Sequence, residues 1–112
     1  MKYAVAKRPG EPAKLVEVTT STVGYHFLKE ALDECTITMT TARLKEGKIV
    51  DVWCDDEGLL KNLPLNFFHP QIRQPIVGPV LVCDHDNEGE SVPLSKELAE
   101  EVRNWLDTVA GL

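Results

Sequence analysis

Several signatures that would identify a function are missing from this chain of 112 residues. It contains no G-x-x-x-x-G-K-[ST] phosphate loop, no G-x-G-x-x-G dinucleotide fingerprint and no nucleophile elbow. No apolar run approaches the roughly 20 residues that span a bilayer, and the start Met-Lys-Tyr-Ala-Val lacks the plan of a signal peptide. We therefore expect a cytoplasmic protein without membrane contact, whose function no catalytic motif identifies.

Cysteine is also scarce, and its spacing is not that of a metal site or a disulfide framework. The three cysteines, Cys35, Cys54 and Cys83, lie in or beside apolar strand-like runs, which favours buried thiols in a reducing compartment. Neither a C-x-x-C nor an H-x-x-x-H pair is present, although structural zinc normally needs such a pair.

One acidic segment resembles a metal loop only in part. Asp84-x-Asp86-x-Glu88-Gly89 has the alternating oxygen ligands and the glycine of a helix–loop–helix calcium loop. The twelfth position, where a glutamate would close the site, is Ser95, and a strand-like segment precedes the loop. We expect no metal, no cofactor and no catalytic residues.

The charge is distributed unevenly along the chain. Residues 1–50 hold 8 Lys and Arg against 6 Asp and Glu, whereas residues 51–112 hold 4 against 12, so the net charges are +2 and −8. An acidic surface repels nucleic acid and anionic membranes, and we therefore expect no direct nucleic-acid binding. The acidity could instead imitate nucleic acid, or it could simply keep the domain soluble.

Hydrophobic periodicity predicts a short series of strands and two helices. Alternation predicts strands over Lys2–Lys7, Lys14–Val18, Cys35–Ala42 and Ile49–Cys54, the last two as an antiparallel hairpin. A buried stripe predicts a helix from a cap within residues 19–22 to about Leu32. A second helix is predicted from about Lys96 to Val109 with Ser95 as its N-cap.

The stretch between Asp51 and Cys83 is the least regular and the most apolar. Pro64 biases Leu63 away from helix and removes a backbone donor, so we predict an irregular loop over residues 59–70. The run Ile76–Cys83 predicts a strand covered on both faces, with a bulge or an edge at Gly78–Pro79. The large apolar side chains of the loop are predicted to plug one side of the sheet, or else to form an exposed patch that binds a partner. They are Leu63, Leu65, Phe67 and Phe68.

The same stretch resembles a family of short phage, plasmid and mobile-element proteins known as a domain of unknown function. The resemblance is carried by DDEGLLKNLPLN, by PIVGPVLVCDHDNEGESVPLS and by the closing amphipathic helix, and covers residues 55–98. The matching positions are Glu57, Gly58, Leu60, Leu63, Pro64, Asn66, Ile76, Gly78, Val82, Glu88, Gly89, Leu94 and Ser95. This resemblance implies a mobile-element or phage setting in a bacterial cytoplasm, and it implies no activity.

Together these patterns predict a single α+β domain over residues 1–112, with about five mainly antiparallel strands and two helices on one face. We expect a non-catalytic accessory protein that binds a host or phage protein. Its candidate interaction surface is the apolar loop and the acidic turn, with the residues Leu63, Leu65, Phe67, Phe68, His69, Asp84, Asp86, Glu88 and Glu90.

Two alternatives remain open. The first is an acidic nucleic-acid mimic that inhibits a defence or DNA-processing protein. The second is a small ligand-binding or enzymatic domain with a pocket under residues 59–70, where Asn66, His69 and Arg73 are the polar candidates. The oligomeric state, and whether the strand from Cys35 to Leu44 is an open edge, do not follow from the sequence.

Overall fold

The computed structural model describes residues 1–112 and contains nine strands and two α-helices. The strands are β1 (Lys2–Lys7), β2 (Lys14–Val18), β3 (Ile37–Arg43), β4 (Ile49–Asp55), β5 (Leu65–His69), β6 (Gln74–Val77), β7 (Val80–His85), β8 (Ser91–Val92) and β9 (Leu94–Ser95). The helices are α1 (Tyr25–Ala31) and α2 (Lys96–Val109), and a 3-10 turn (Lys45–Gly47) joins β3 to β4.

Seven of these strands form one antiparallel sheet, in which the path β2-β1-β7-β4-β3 is extended by β8 beside β7 and β9 beside β1. The other two, β5 and β6, pair as a separate antiparallel hairpin. The predicted α+β class with a mainly antiparallel sheet and two helices is confirmed. The sheet exceeds the expected five strands partly because β8 and β9 have two residues each, too few for a visible alternation.

The two helices pack on opposite faces of the sheet, and the expectation that they share one face is wrong. Helix α2 covers the face that carries Val5, Val52 and Val82, whereas Leu28 of α1 and its C-cap residue Leu32 belong to a second cluster on the other face. Side chains of a strand alternate between faces, so the central strands β1, β4 and β7 supply both clusters. A central strand that is apolar on both faces needs a cover on each side.

The hairpin β5–β6 lies on the α2 face. Phe67 and Ile76 belong to the same buried cluster as Val102 and Leu106 of α2. On the opposite face, α1 has just seven residues and packs mainly against β7. The part of that face formed by β3 and β4 therefore has no helix over it.

The prediction from the sequence agrees more closely with the observed helix α2 than with α1. Helix α2 spans Lys96–Val109 and Ser95 Oγ accepts a hydrogen bond from the Leu98 amide at 3.2 Å, so the predicted helix and its cap are confirmed. Helix α1 begins at Tyr25 behind Gly24, without a side-chain cap, and the predicted cap within residues 19–22 is wrong. The Thr20 hydroxyl in that segment donates to the Thr22 carbonyl instead.

The apolar run from Ile76 to Cys83 is divided between two strands. β6 ends at Val77 and β7 begins at Val80, with Gly78 at a φ of +76° between them. Because Pro79 has no amide hydrogen, it fits the point where the chain leaves the hairpin and enters the main sheet. The break is at the predicted position, although it is larger than a bulge.

Candidate functional site

The hairpin divides the predicted apolar loop into a buried side and an exposed side. Residues 65–69 form strand β5, not the irregular segment that Pro64 suggested, and the register shifts at Asn66. Phe67 and His69 are buried, at 1% and 0% exposure. Leu65 and Phe68 are 57% and 49% exposed, and Leu63 is partly buried. Phe67 therefore plugs one side of the sheet, as the first interpretation predicts, whereas Leu65 and Phe68 are exposed, as the second predicts.

His69 is fully engaged by the surrounding protein. Its Nε2 lies 2.8 Å from the Thr41 carbonyl, and its Nδ1 accepts a hydrogen bond from the Gln71 amide at 3.3 Å. The ring packs edge-on against Trp105, with centroids 5.3 Å apart. A histidine held in this way ties the hairpin to the edge strand β3 and has no nitrogen free for a substrate or partner.

Asn66 joins the hairpin to the main sheet through a buried network. Its Nδ2 donates to the carbonyls of Lys7 and Gly78 at 2.8 Å each, and its Oδ1 accepts from Lys7 Nζ at 2.7 Å. Lys7 is only 2% exposed, and burial lowers the pKa of its ammonium group. No carboxylate contacts this ammonium group directly, so the amide of Asn66 is its main partner. Asn66 is therefore a structural residue.

The exposed apolar side chains of this region form what we call the hairpin patch: Leu59, Leu60, Leu65 and Phe68. Leu59 and Leu60 are 68% and 83% exposed in the turn that precedes β5. This turn packs against β6, since a Cβ added at Gly58 would lie 2.7 Å from Val77 Cγ2, and Val77 is paired with Leu65. The turn and the hairpin are therefore neighbours in the fold.

The acidic turn that follows β7 is held by its own residues. Asp86 Oδ1 accepts from the amides of Glu88 and Glu90 at 2.9 Å each, and all three residues are exposed. Asp84 is partly buried and forms an ion pair with Lys48, with Nζ 2.7 Å from Oδ1. No group of three or more His, Cys, Asp or Glu residues is placed to hold a metal ion.

A further concave surface, which we call the sheet-face cavity, was not anticipated from the sequence. It has a volume of about 540 Å³ and lies on the part of the sheet that α1 leaves uncovered. Its lining residues come from β3, β4, β7, β8 and the β7–β8 connection: Met39, Thr41, Ile49, Asp51, Trp53, His85, Gly89 and Ser91. The acidic turn forms part of its rim through Gly89.

The polar centre of this cavity is a carboxylate beside an imidazole. Asp51 Oδ1 lies 3.2 Å from His85 Nδ1, and the side chains of Asp51 and His85 are 7% and 39% exposed. Burial raises the pKa of Asp51, and His85 opposes part of this shift. The indole nitrogen of Trp53 is buried and has no hydrogen-bond partner.

The three cysteines are free and buried, as predicted. Burial raises the pKa of Cys54 to about 11 and that of Cys83 to about 12, and it also raises the pKa of Cys35. Thiols that stay protonated at neutral pH are poor nucleophiles and poor metal ligands. Their role is therefore in packing.

The polar residues proposed for a pocket under residues 59–70 do not converge on one. Asn66 and His69 are buried and hydrogen-bonded as described above, and Arg73 is exposed at a φ of +55°. The cavities of the protein are lined by other residues.

Comparison with known proteins gives a family assignment. Neither helix has the length and apolar character needed to cross a bilayer. No curated protein and no solved structure matches the chain. Residues 1–107 match the family described as Domain of unknown function (DUF3846), a match that extends well beyond the segment 55–98 whose motifs suggested a family of this kind. The chain belongs to the DUF3846 family.

Proposed function

We propose that this protein is a small, non-catalytic accessory protein that binds another protein through the hairpin patch. Four large apolar side chains on one turn and one hairpin are between 49% and 83% exposed, and this observation carries the proposal. Exposed apolar surface of this kind costs solubility and is typical of sites that a partner covers. The setting we propose is the cytoplasm of a bacterial host, with the gene on a phage or another mobile element.

The hairpin is rigid enough to present this patch. Phe67 anchors the hairpin to the core, because its ring packs edge-on against Trp105 with centroids 5.7 Å apart. The hydrogen bonds of Asn66 fix the connection between the hairpin and β1. Gln71 also connects the hairpin to β3. Its Oε1 accepts a hydrogen bond from the backbone amide of Arg43 at 2.7 Å, and its Nε2 donates one to the Arg43 carbonyl at 2.8 Å. A patch on such a support loses little conformational entropy when a partner binds.

The experiment is an affinity capture from bacterial lysate, followed by reconstitution with the purified partner. Leu60→Ser and Phe68→Ser remove apolar surface from the patch. Tyr25→Ser is the matched control, because Tyr25 is 62% exposed on α1. We expect a partner that is retained at high salt, and a loss of binding of about tenfold or more for each patch variant, since interface hot spots cost about 2 kcal/mol or more.

The control must leave binding unchanged, and urea unfolding must show that all three variants are fully folded under the conditions of the binding assay. A partner that binds the patch variants and the parent equally would contradict the proposal. A protein that is captured only by the parent and by Tyr25→Ser would support it.

Acidic mimicry of nucleic acid is the second candidate, and the exposed acidic turn favours it. Asp86, Glu88 and Glu90 are exposed and form no ion pairs. This function predicts a partner that also binds DNA and that is lost as salt rises. Replacing Glu88 and Glu90 with glutamine should then weaken binding, whereas the patch variants should not.

A further inference from the structure

The sheet-face cavity is separate from the surface used in the proposed function. The hairpin lies on the α2 face of the sheet, whereas this cavity opens on the face that carries Trp53 and His85. It is also the largest cavity of the protein.

Every ionisable group in the lining of this cavity is a carboxylate or an imidazole. Asp51 is 95% buried, since only 5% of its surface is exposed, and its one hydrogen-bonding partner is His85. No lysine or arginine lines the cavity, and Lys48, which lies nearby, is held by Asp84 at 2.7 Å. The only partner of Asp51 is therefore a histidine, which is a cation only when protonated, and a buried carboxylate without a permanent cation beside it is costly in an apolar setting.

The other lining residues suit the alkyl chain that carries a cationic group. Met39, Ile49 and Trp53 present apolar and aromatic surface, and an indole ring attracts a cation to its face. Thr41 and Ser91 add hydroxyl oxygens, which accept hydrogen bonds from N–H donors. The acidic turn reaches the lining through Gly89, and the carboxylates of Glu88 and Glu90 are its neighbours in the chain, so the field near the cavity favours cations.

We infer that the sheet-face cavity binds a guanidinium or primary ammonium group, with Asp51 as its counter-ion and Trp53 as its aromatic wall. The cation can belong to a free alkylamine or to an arginine or lysine side chain in a peptide. In either case the carboxylate oxygens of Asp51 accept its N–H groups, and His85 orients the carboxylate. This inference does not depend on the hairpin patch or on its partner.

Nuclear magnetic resonance on the intact ¹⁵N-labelled chain tests it. The probes are agmatine, as a free guanidinium compound, and N-acetyl-arginine methylamide, as a peptide-like one. N-acetyl-citrulline methylamide is the uncharged counterpart of the second probe. The protein has two indole groups, and Trp105 packs against Phe67 on the other face of the sheet, so its signal is an internal control.

We expect a saturable shift of the Trp53 indole signal with at least one guanidinium probe, while the Trp105 signal stays in place. The citrulline compound should bind at least about tenfold more weakly, because it cannot form a charge-assisted hydrogen bond. Tighter binding of the arginine compound identifies a peptide as the natural source, and tighter binding of agmatine identifies a free amine.

Asp51→Asn removes the charge while it keeps the shape and an acceptor for His85. It should weaken binding of the guanidinium probes at least about tenfold. Glu17→Gln is the matched control, because Glu17 is an exposed acid on β2 at the far edge of the sheet. Unsaturable shifts, equal binding of the citrulline compound, or unchanged binding by a folded Asp51→Asn variant would each overturn the inference.

Discussion

The neighbouring residues Phe67 and Phe68 should differ sharply in what they contribute to stability. Phe67 is 1% exposed and contacts the rings of His69 and Trp105, with centroids 6.1 and 5.7 Å away. Replacing it with alanine removes apolar burial and leaves a cavity under the hairpin, which costs about 3–5 kcal/mol. Phe68 is 49% exposed, so its truncation loses about half of the 1.5–3 kcal/mol of a buried side chain, and water fills the space.

The assay is urea unfolding followed by circular dichroism, with the free energy of unfolding extrapolated to water. We expect Phe67→Ala to lower it by about 3–5 kcal/mol and Phe68→Ala by about 1 kcal/mol, both with an unchanged slope. Because a domain of this size has only about 5–15 kcal/mol of stability, Phe67→Leu is a milder variant in case the alanine variant does not fold. Equal losses at the two positions would refute the division of the hairpin into a buried and an exposed side.

Three further predictions concern single groups. Asn66→Ala should lower the free energy of unfolding by about 2–4 kcal/mol in the same urea assay, because it leaves two carbonyls and a buried ammonium group without their partner; a loss below about 1 kcal/mol would contradict the structural role of this amide. Gly78→Ala should be more destabilising than Gly10→Ala, since both have φ near +75° but only at Gly78 would the new Cβ meet another atom, Leu63 Cδ1 at 2.7 Å; equal midpoints of thermal unfolding would count against the close packing at Gly78. Asp51 has a raised pKa in the folded state, so its contribution to stability is present below the unfolded pKa of about 4 and is lost as pH rises through the folded pKa. The free energy of unfolding of Asp51→Asn, relative to that of the parent protein, should therefore be unchanged or higher at pH 7 than at pH 3. A clear loss of this free energy at pH 7 only would show that the ionised carboxylate stabilises the fold.

The elements that local signals define could be predicted from the sequence. Helix α2 has its cap, its apolar stripe and its end within 15 consecutive residues, Ser95 to Val109, and it was located to the residue. The strands β1 and β2 were also located correctly, because a two-residue period and a turn containing Pro9, Gly10 and Pro12 define them. In each case the evidence lies within a short window of the chain.

Other features depend on residues that are far apart in the sequence. The strand β5 is fixed by Asn66, whose amide bonds the carbonyl of Lys7, 59 residues away. Pro64 and the bulge at Asn66 hide its alternation, which explains why an irregular loop was predicted. The placement of the helices on opposite faces agrees with the central position of β7, between β1 and β4, because β7 has residues in both buried clusters.

The sheet-face cavity could not be predicted for a similar reason. Asp51 and His85 are separated by 34 residues and meet only because Asp51 is paired with Cys83 across β4 and β7. Side chains two residues apart on a strand share a face, so this register places His85 diagonally beside Asp51. The sequence shows both residues at strand positions, but it does not show which strands are neighbours.

The fold explains several positions of the family motif, and Leu60 is not one of them. Gly58 and Gly78 are needed where a Cβ would lie 2.7 Å from another side chain, and Asn66 is needed for its three hydrogen bonds. Leu60 matches the motif equally well, yet it is 83% exposed and contributes to neither buried cluster. A leucine at such a position contributes little to the stability of the chain, and under the proposed function its side chain binds the partner. This distinguishes Leu60 as the residue of the hairpin patch whose replacement should reduce partner binding without a loss of stability.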